Sequence, residues 1–383
     1  MKAYWMITVL GLLAIASTQS LDADESTRSF DPRVKVMPWY TRGQFVRLDD
    51  GGLLSIGKNA TLISKDNGHT WKEQGPITKT VPGIPNAGSM LLSTRDGALV
   101  LVYMDMSTIN PAWDRVRGEP LPGMKLDIWS IRSLDDGRTW RDKQQLLNGY
   151  CGALMNIIET RDGHIVVPAC ETFPNPGRSV TFTYVSADRG RTWKKSNFID
   201  LGGQGDHDGA CEASVVELSD GRIFMLMRTC YDQFWRAISQ DHGQTWLDIA
   251  PSGIDASSAP SNMLRLASGR IILFWNRLYS EGKHNAPRRW KPYAHRPASW
   301  HRTELSMAYT DDDARTWSKP VVIGRDQGMG LSYTSIFENK PGEVWLGIHL
   351  ADPPTQIRLN EADFVSSGQQ AVISGQQAVG RRQ

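Results

Sequence analysis

The sequence predicts an all-β fold, a six-bladed β-propeller, because two repeats alternate along the chain at a regular spacing. An eight-residue pattern occurs five times, with starts 69, 53, 53 and 71 residues apart, and such a period is typical of propellers and repeat arrays. A second set of turn signals alternates with the first. Six four-stranded units closed in a ring account for both sets. A stack of repeats open at both ends is the alternative.

The first repeat has the chemistry of a tight turn between two strands. Its Asp accepts hydrogen bonds from backbone amides, its Gly tolerates positive φ, and its Thr-Trp pair starts the next strand. The Trp side chain can fill the space between neighbouring sheets. Ala314 replaces the Gly in the fifth copy, so we expect a distorted turn there. The five copies are Ser64–Trp71, Ser133–Trp140, Ser186–Trp193, Ser239–Trp246 and Thr310–Trp317.

The second repeat consists of six short turns, each between two runs with the composition of strands. These are hairpin signals, so each turn joins the first two strands of a unit. The sixth unit has only two or three strands of its own, and Val34–Met37 is expected to supply the missing one. The turns are Asp50-Gly51, Asp96-Gly97, Asp162-Gly163, Asp220-Gly221, Ser268-Gly269 and Pro341-Gly342.

The two ends of the chain differ from the repeats. Lys2 precedes the apolar run Ile7–Ile15, so residues 1–20 are predicted to be a cleaved signal peptide of a secreted or periplasmic protein. An uncleaved membrane anchor is the alternative, and no other segment is a candidate membrane span. The propeller is assigned to residues 33–362. Residues 363–383 contain a duplicated polar hexapeptide and are predicted to be a disordered, low-complexity tail.

The composition excludes several classes of protein. With 43 Lys and Arg against 41 Asp and Glu, the chain lacks the basic excess of a protein that binds nucleic acid through its surface. Four cysteines in 383 residues exclude a disulfide-stapled scaffold. Cys211 and Cys230 would face each other across a two-residue turn, as a disulfide or as free thiols.

The functional site is expected on one face of the ring. In an antiparallel blade with strands A to D, the A–B and C–D turns lie at the same end, so both repeats are structural. The start of A, the end of B and the B–C loop lie at the opposite face, called the mouth here. Two B–C loops, Met104–Leu126 and Arg277–His301, carry the residues in excess of the 53-residue spacing, and long loops are typically functional.

The five motifs resemble Asp boxes, or BNR repeats, and six blades that carry them resemble the sialidase (neuraminidase) superfamily over roughly Arg42 to Leu350. This resemblance implies a site in which arginines clamp a sugar carboxylate and a tyrosine is the nucleophile. Because phenol is a weak nucleophile, a glutamate takes its proton. A loop aspartate serves as general acid and base. Non-catalytic propellers also carry Asp boxes.

The later half of the chain matches the family residue by residue. Glu212 begins an A strand and resembles the base, and Arg228 ends the paired B strand and resembles the second arginine. Arg302 resembles the third arginine and Tyr333 the nucleophile. A two-residue turn at Asp220-Gly221 would place Glu212 and Arg228 on opposite faces, so a bulge or a longer turn is needed.

The earlier half lacks the family's Arg-Ile-Pro motif, and Arg42 is the substitute candidate for the first arginine. The acid/base is sought among three aspartates in or beside the first long loop, which the sequence does not rank: Asp105, Asp114 and Asp127. Aromatic residues of the two loops, including Trp113, Trp290 and Trp300, are candidates for stacking on sugar.

Two functions follow. The first is a secreted exo-glycosidase that hydrolyses terminal sialic or other acidic sugars from glycoconjugates, with retention through a tyrosyl intermediate. The alternative is a non-catalytic Asp-box propeller that binds glycans or proteins. No cofactor is expected. Gly205–Gly209 holds metal-ligating residue types, Asp206, His207 and Asp208, but such a run more often forms a solvated turn, so no metal is predicted.

Overall fold

The protein is a ring of six antiparallel sheets, and the predicted propeller is confirmed. The computed structural model describes residues 28–38, 44–57, 60–77, 88–291, 293–328 and 330–365. The A strands of blades 3, 4, 5, 6, 1 and 2 contact each other in that order around the axis. Blades 2 and 3 pack through a shared apolar cluster, so the ring is closed. Each blade presents one face to each neighbour, which explains why B strands such as Leu99–Met104 and Ile271–Trp275 are continuous apolar runs.

The strands follow the two repeats. Blade 1 consists of Phe45–Arg47, Leu53–Ile56, Ala60–Ser64 and Lys72–Pro76. Blade 2 consists of Met90–Ser93, Leu99–Met104, Ile128–Ser133 and Arg141–Leu147. Blade 3 consists of Ile158–Glu159, Ile165–Phe173, Arg178–Ser186 and Lys194–Lys195.

The second half repeats the arrangement. Blade 4 consists of Cys211–Glu217, Ile223–Arg228, Gln233–Ser239 and Leu247–Asp255. Blade 5 consists of Asn262–Arg265, Ile271–Trp275, Glu304–Thr310 and Val321–Asp326. Blade 6 takes Thr334–Lys340, Glu343–Ile348 and Thr355–Asn360 from the end of the chain.

The start of the chain completes the last two blades. Lys35–Met37 pairs with Thr355–Asn360 as the fourth strand of blade 6, which confirms the predicted closure. Arg28–Phe30 pairs with Val321–Asp326 as a fifth strand of blade 5, which was not predicted and precedes the assigned boundary at residue 33. Arg28 joins the two blades, because its guanidinium bonds Asp326 in blade 5 and Thr355 in blade 6.

The first repeat forms the expected turns. In the first copy, Asp66 accepts hydrogen bonds from the Thr70 backbone amide and hydroxyl at 2.8 and 2.6 Å. The indole N–H of Trp246 reaches the Thr183 hydroxyl of the preceding blade at 2.9 Å, so this Trp does fill the space between sheets.

The expected distortion of the fifth turn was wrong. Ala314 adopts φ 62° and its amide still bonds the Thr310 hydroxyl, while Asp312 keeps both bonds to Thr316. The turn keeps its shape because the surrounding hydrogen bonds hold a non-glycine residue in the left-handed region.

Both long loops have structure of their own. The first contains a 3-10 turn, Met106–Thr108, and a hairpin of Trp113–Asp114 with Glu119–Pro120. The second contains a hairpin of Arg288–Arg289 with Ala298–Ser299. At the end of the described chain, a 3-10 turn over Glu361–Asp363 leads to Phe364, which is buried against the core of blades 5 and 6.

The signal peptide, residues 1–20, and the tail from residue 366 onward lie outside the described residues. Among the residues that are described, no helix has the length and apolar character to cross a membrane. All four cysteines are buried free thiols. Cys211 lies opposite Arg228 instead of Cys230, because the turn between their strands is longer than two residues and the strand pair contains a register shift.

Candidate active site

The site begins with an irregular strand pair in blade 4. Cys211 lies opposite Arg228 and Ser214 opposite Leu226, so Glu212 and Ala213 share a single partner position in a β-bulge. The predicted conflict between Glu212 and Arg228 is resolved by this bulge together with a turn longer than two residues. Glu212 lies at φ 45° and its carboxylate is directed toward the Arg228 side chain.

Three side chains from two blades meet in one hydrogen-bonded cluster. Arg228 Nη1 donates to Glu212 Oε2 at 2.6 Å and to Tyr333 Oη at 3.2 Å. The Tyr333 hydroxyl donates to the other carboxylate oxygen, Oε1, at 3.0 Å. Arg228 is wholly buried and Glu212 is 7% exposed, so these bonds lie in a low-dielectric environment where they are strong.

Electrostatics sets opposite protonation states on Glu212 and Tyr333. Burial alone would raise the pKa of Glu212, but Arg228, His207 and Arg302 together hold it below its usual range. Burial and the Glu212 carboxylate raise the pKa of Tyr333 to about 12. At neutral pH the pair is therefore a carboxylate that accepts a proton and a phenol that supplies one.

Arg302 completes the cluster from blade 5. Its guanidinium lies over the Tyr333 ring at 5.2 Å and over the Trp300 ring at 4.8 Å, and Nη2 donates to the Ser258 carbonyl at 3.2 Å. Ser258 also accepts a bond from Arg228 Nε through its hydroxyl. Arg302 Nε and Arg228 Nη2 are buried with no acceptor among the described residues. Two guanidinium groups with unused donors suit a carboxylate ligand.

The backbone is strained at both Glu212 and Tyr333. Tyr333 lies at φ 54° and Glu212 at φ 45°, in the left-handed region that is unfavourable for both side chains. The fold nearby depends on glycine, because a Cβ on Gly330 would lie 2.5 Å from the Arg302 carbonyl oxygen. Strained backbone held by its surroundings is common at functional sites.

The three candidate aspartates are bonded locally. Asp105 accepts from the Ser107 amide and hydroxyl at 3.0 and 2.6 Å. Asp127 is 2% exposed and bonds Gln145 and Lys125. Asp114 accepts two backbone amides in its own hairpin. No contact found among the described residues joins any of the three to the Tyr333 cluster, and Arg42 lies outside those residues.

The aromatic candidates separate into three environments. Trp113 is buried and its ring packs where a Cβ on Gly177 would lie 2.8 Å away, so it anchors the first loop to blade 3. Trp290 is 58% exposed. Trp300 alone of these three reaches the cluster, with the Arg228 and Arg302 guanidinium groups 5.3 and 4.8 Å from its ring.

Sequence reasoning missed two contributors. Ser258 orients both arginines, yet an isolated serine before a strand carries no pattern that would reveal it. The sequence pattern marks His207 only as a residue type that can bind metal. No group of three His, Cys, Asp or Glu is placed to hold a metal ion within the described part of the chain.

Comparison with known proteins agrees with this fold. The model of the BNR repeat-like domain family matches residues 63–346. A sialidase from Clostridium perfringens is 25% identical over 222 residues, which cover 52% of this chain and 53% of that protein. The match therefore spans about half the length of this relative.

Solved structures show the same architecture at low identity. A Dyadobacter fermentans protein of unknown function has a TM-score of 0.57 at 18% identity and covers 86% of this chain and 100% of its own. The NanB sialidase of Streptococcus pneumoniae has a TM-score of 0.55 at 15% identity, covering 88% and 70%. A Trypanosoma rangeli sialidase, solved as a covalent intermediate with 2,3-difluorosialic acid, has a TM-score of 0.52 at 14% identity, covering 88% and 58%. The expected resemblance to sialidases is confirmed, and the chain belongs to the BNR repeat-like domain family.

Proposed function

We propose that the protein is a sialidase-type exo-glycosidase that removes terminal sialic or other acidic sugars from glycoconjugates with retention of configuration. The observation that carries this proposal is the Tyr333–Glu212–Arg228 cluster. A phenol bonded to an ionised glutamate beside two arginines matches the requirements of nucleophilic attack on a sugar that carries a carboxylate.

The proposed first step uses the cluster as found. Arg228 and Arg302 hold the substrate carboxylate through their unused donors. Tyr333 Oη attacks the anomeric carbon while Glu212 takes the phenolic proton. The bond to the leaving oxygen breaks as a general acid of the mouth gives that oxygen a proton, so it departs as an alcohol. Since the Tyr333 hydroxyl is neutral before attack, it does not repel the substrate carboxylate as a carboxylate nucleophile would.

The second step regenerates the enzyme. Water attacks the anomeric carbon of the tyrosyl glycoside on the face that the leaving group vacated, and the bond to Tyr333 breaks. The attacking water gives its proton to the general acid of the first step, which is now in its base form. Glu212 returns its proton to the phenolate. Two inversions at one carbon give net retention.

A non-catalytic glycan-binding propeller is the second candidate. It is favoured by the local bonding of Asp105, Asp114 and Asp127, none of which contacts the cluster within the described residues. In that case the two arginines would bind an acidic sugar without turnover.

Hydrolysis of a fluorogenic aryl sialoside separates the two candidates. We expect turnover by the wild type, a loss of at least about 10²-fold with Tyr333→Phe, and a similar loss with Glu212→Gln. Tyr309→Phe, a blade 5 strand tyrosine outside the cluster, is the matched control and should retain activity. An inactive wild type that still binds sialic acid would establish the binding protein instead.

We also propose that the protein is exported and that residues 1–20 are removed. This rests on the apolar run after Lys2. The N-terminal sequence of protein recovered from the medium or periplasm should begin near residue 21. An intact N-terminus on membrane-bound protein would establish the anchor.

A further inference from the structure

His207 is fixed at the mouth by the loop between blades 3 and 4. Its backbone amide donates to the Tyr293 carbonyl of the second long loop at 2.9 Å, and its carbonyl accepts from Cys230 Sγ at 3.1 Å. Glycines allow this approach, since a Cβ on Gly205 would lie 2.6 Å from Ala294 Cα. The loop is therefore held on both sides rather than projecting into solvent.

The imidazole lies beside the Tyr333 cluster. Its ring centre is 5.5 Å from that of Trp300 in an edge-on arrangement and 5.4 Å from that of Tyr293. The same Trp300 ring carries the Arg228 and Arg302 guanidinium groups. His207 is also near enough to Glu212 to help lower the pKa of that carboxyl group.

A carboxylate lies beside the ring. Asp206 Oδ2 lies 3.5 Å from His207 Nδ1, and the two side chains are 13% and 18% exposed. Nδ1 is buried and makes no hydrogen bond among the described residues, so its contact with Asp206 is an electrostatic one. With a carboxylate facing Nδ1, Nε2 is the ring nitrogen left to face a ligand.

We propose that His207, positioned by Asp206, is the general acid and base of the site, in place of an aspartate of the first long loop. This rests on the proposed glycosidase function. As the glycosidic bond breaks, His207 Nε2 gives its proton to the leaving oxygen, which departs as a neutral alcohol. In the second step the neutral imidazole takes a proton from the attacking water, so each turnover returns His207 to its protonated form.

The dependence of kcat/KM on the leaving group tests this role. A sialyl-galactoside has a poor alcohol leaving group that needs protonation, whereas an aryl sialoside releases a phenolate without help. For His207→Ala we expect kcat/KM to fall about 10²–10⁴-fold on the galactoside and by less than about 10-fold on the aryl substrate. Added imidazole should restore part of the lost galactoside activity.

Matched variants keep the result interpretable. His207→Gln, which retains a polar side chain, should show the same selective loss, so a folding defect of the alanine variant does not decide the outcome. His69→Ala, an exposed histidine in the first Asp box, should leave both substrates unaffected.

Three outcomes would overturn the proposal. The first is an equal loss on both substrates, and the second is no loss on either. The third is a selective loss on the galactoside with Asp105→Asn, Asp114→Asn or Asp127→Asn and not with the His207 variants. A wild type inactive on both substrates would reject the glycosidase function as well, which distinguishes the two failures.

Discussion

Arg228 is the residue on which the site depends most. It is wholly buried and bonds Glu212, Tyr333 and Ser258. A charge in this position is tolerated only with its partner, because an unpaired buried ion keeps a desolvation cost of several kcal/mol. The pair is therefore important for stability as well as for the proposed chemistry.

Removing the arginine should therefore destabilise the protein through the carboxylate it leaves behind. We expect Arg228→Met to lower the free energy of unfolding by about 3–5 kcal/mol at pH 7. The double variant Arg228→Met with Glu212→Gln should recover a large part of that loss. Urea unfolding of the wild type, Arg228→Met, Glu212→Gln and the double variant measures both effects. Additive losses of unfolding free energy would show that the two side chains do not interact.

The pH profile reports the same environment. Arg228, His207 and Arg302 lower the pKa of Glu212, so the base form persists to lower pH than in an ordinary glutamate. On the acid side of the profile, kcat/KM for the aryl sialoside should reach half of its plateau value at a pH below about 4.3, the usual pKa of glutamate. The measurement is initial rates between pH 3 and 7 with stability checked at each point. A half-activity point above pH 5 would contradict the lowered pKa of Glu212.

The sequence predicted part of this site. Tyr333, Arg302, Arg228 and Glu212 converge, as their places at strand ends required. Their roles in catalysis remain predictions. His207 was missed because its place beside Trp300 depends on how two loops pack, and a turn-forming run of five residues gives no sign of that.

The Asp-box turn is the element that sets the repeat. Its Asp satisfies backbone amides that would otherwise be unpaired at a strand end, and its fourth and fifth positions both take a left-handed conformation. Glycine occupies the fifth position in four copies, and Ala314 occupies it in the last.

Two substitutions at the fifth position of the Asp box separate the effect of backbone strain from that of steric contact. Ala314→Gly relieves a non-glycine residue at φ 62° and should raise the free energy of unfolding by about 0.5 kcal/mol, net of the larger entropy of glycine in the unfolded chain. Gly243→Ala should lower it by more than about 1 kcal/mol, because its Cβ would lie 2.9 Å from Val166 Cγ1. Thermal unfolding of both variants checks the signs. A destabilised Ala314→Gly would show that the methyl group contributes packing that outweighs the strain.

Turns were predictable from the sequence because they are local. The six Gly-containing hairpins and five Asp boxes lie where the pattern placed them. The hairpins inside the long loops were not predicted, since two-residue strands such as Arg288–Arg289 have no alternation to detect.

At the level of the whole molecule, the ring is closed by its N-terminal segment. Lys35–Met37 and Arg28–Phe30 complete blades 6 and 5, and Val34 is buried in the core between them. The first of these pairings was predicted from a count of strands. The second was not, because three residues pair with a strand about 300 positions away.

Removing this segment should open the ring. A chain that begins at residue 38 loses both strands and the burial of Val34, a side chain whose burial alone stabilises by about 1.5–3 kcal/mol. Compared with a chain that begins at residue 28, it should unfold at lower temperature and bind more of a hydrophobic dye. Arg33→Ala, which keeps both strands and removes side-chain contacts with Asp31, Asp363 and Phe364, is the matched control. Equal unfolding temperatures would show that the two strands add nothing to closure.

The pairing of Arg28–Phe30 with Val321–Asp326 also fixes an order of events during synthesis. The ribosome makes the N-terminal strands first, but their partners emerge only after almost the whole chain has been translated. Blades 1 to 4 contain no strand from residues 28–37 and can form as they emerge from the ribosome. Blades 5 and 6 can be completed only after their C-terminal strands have been made. Until then the segment is an unpaired edge, open to chaperones and to wrong partners. A ribosome-stalled chain cut before residue 321 should therefore leave residues 28–37 sensitive to protease, and release of the full chain should protect them.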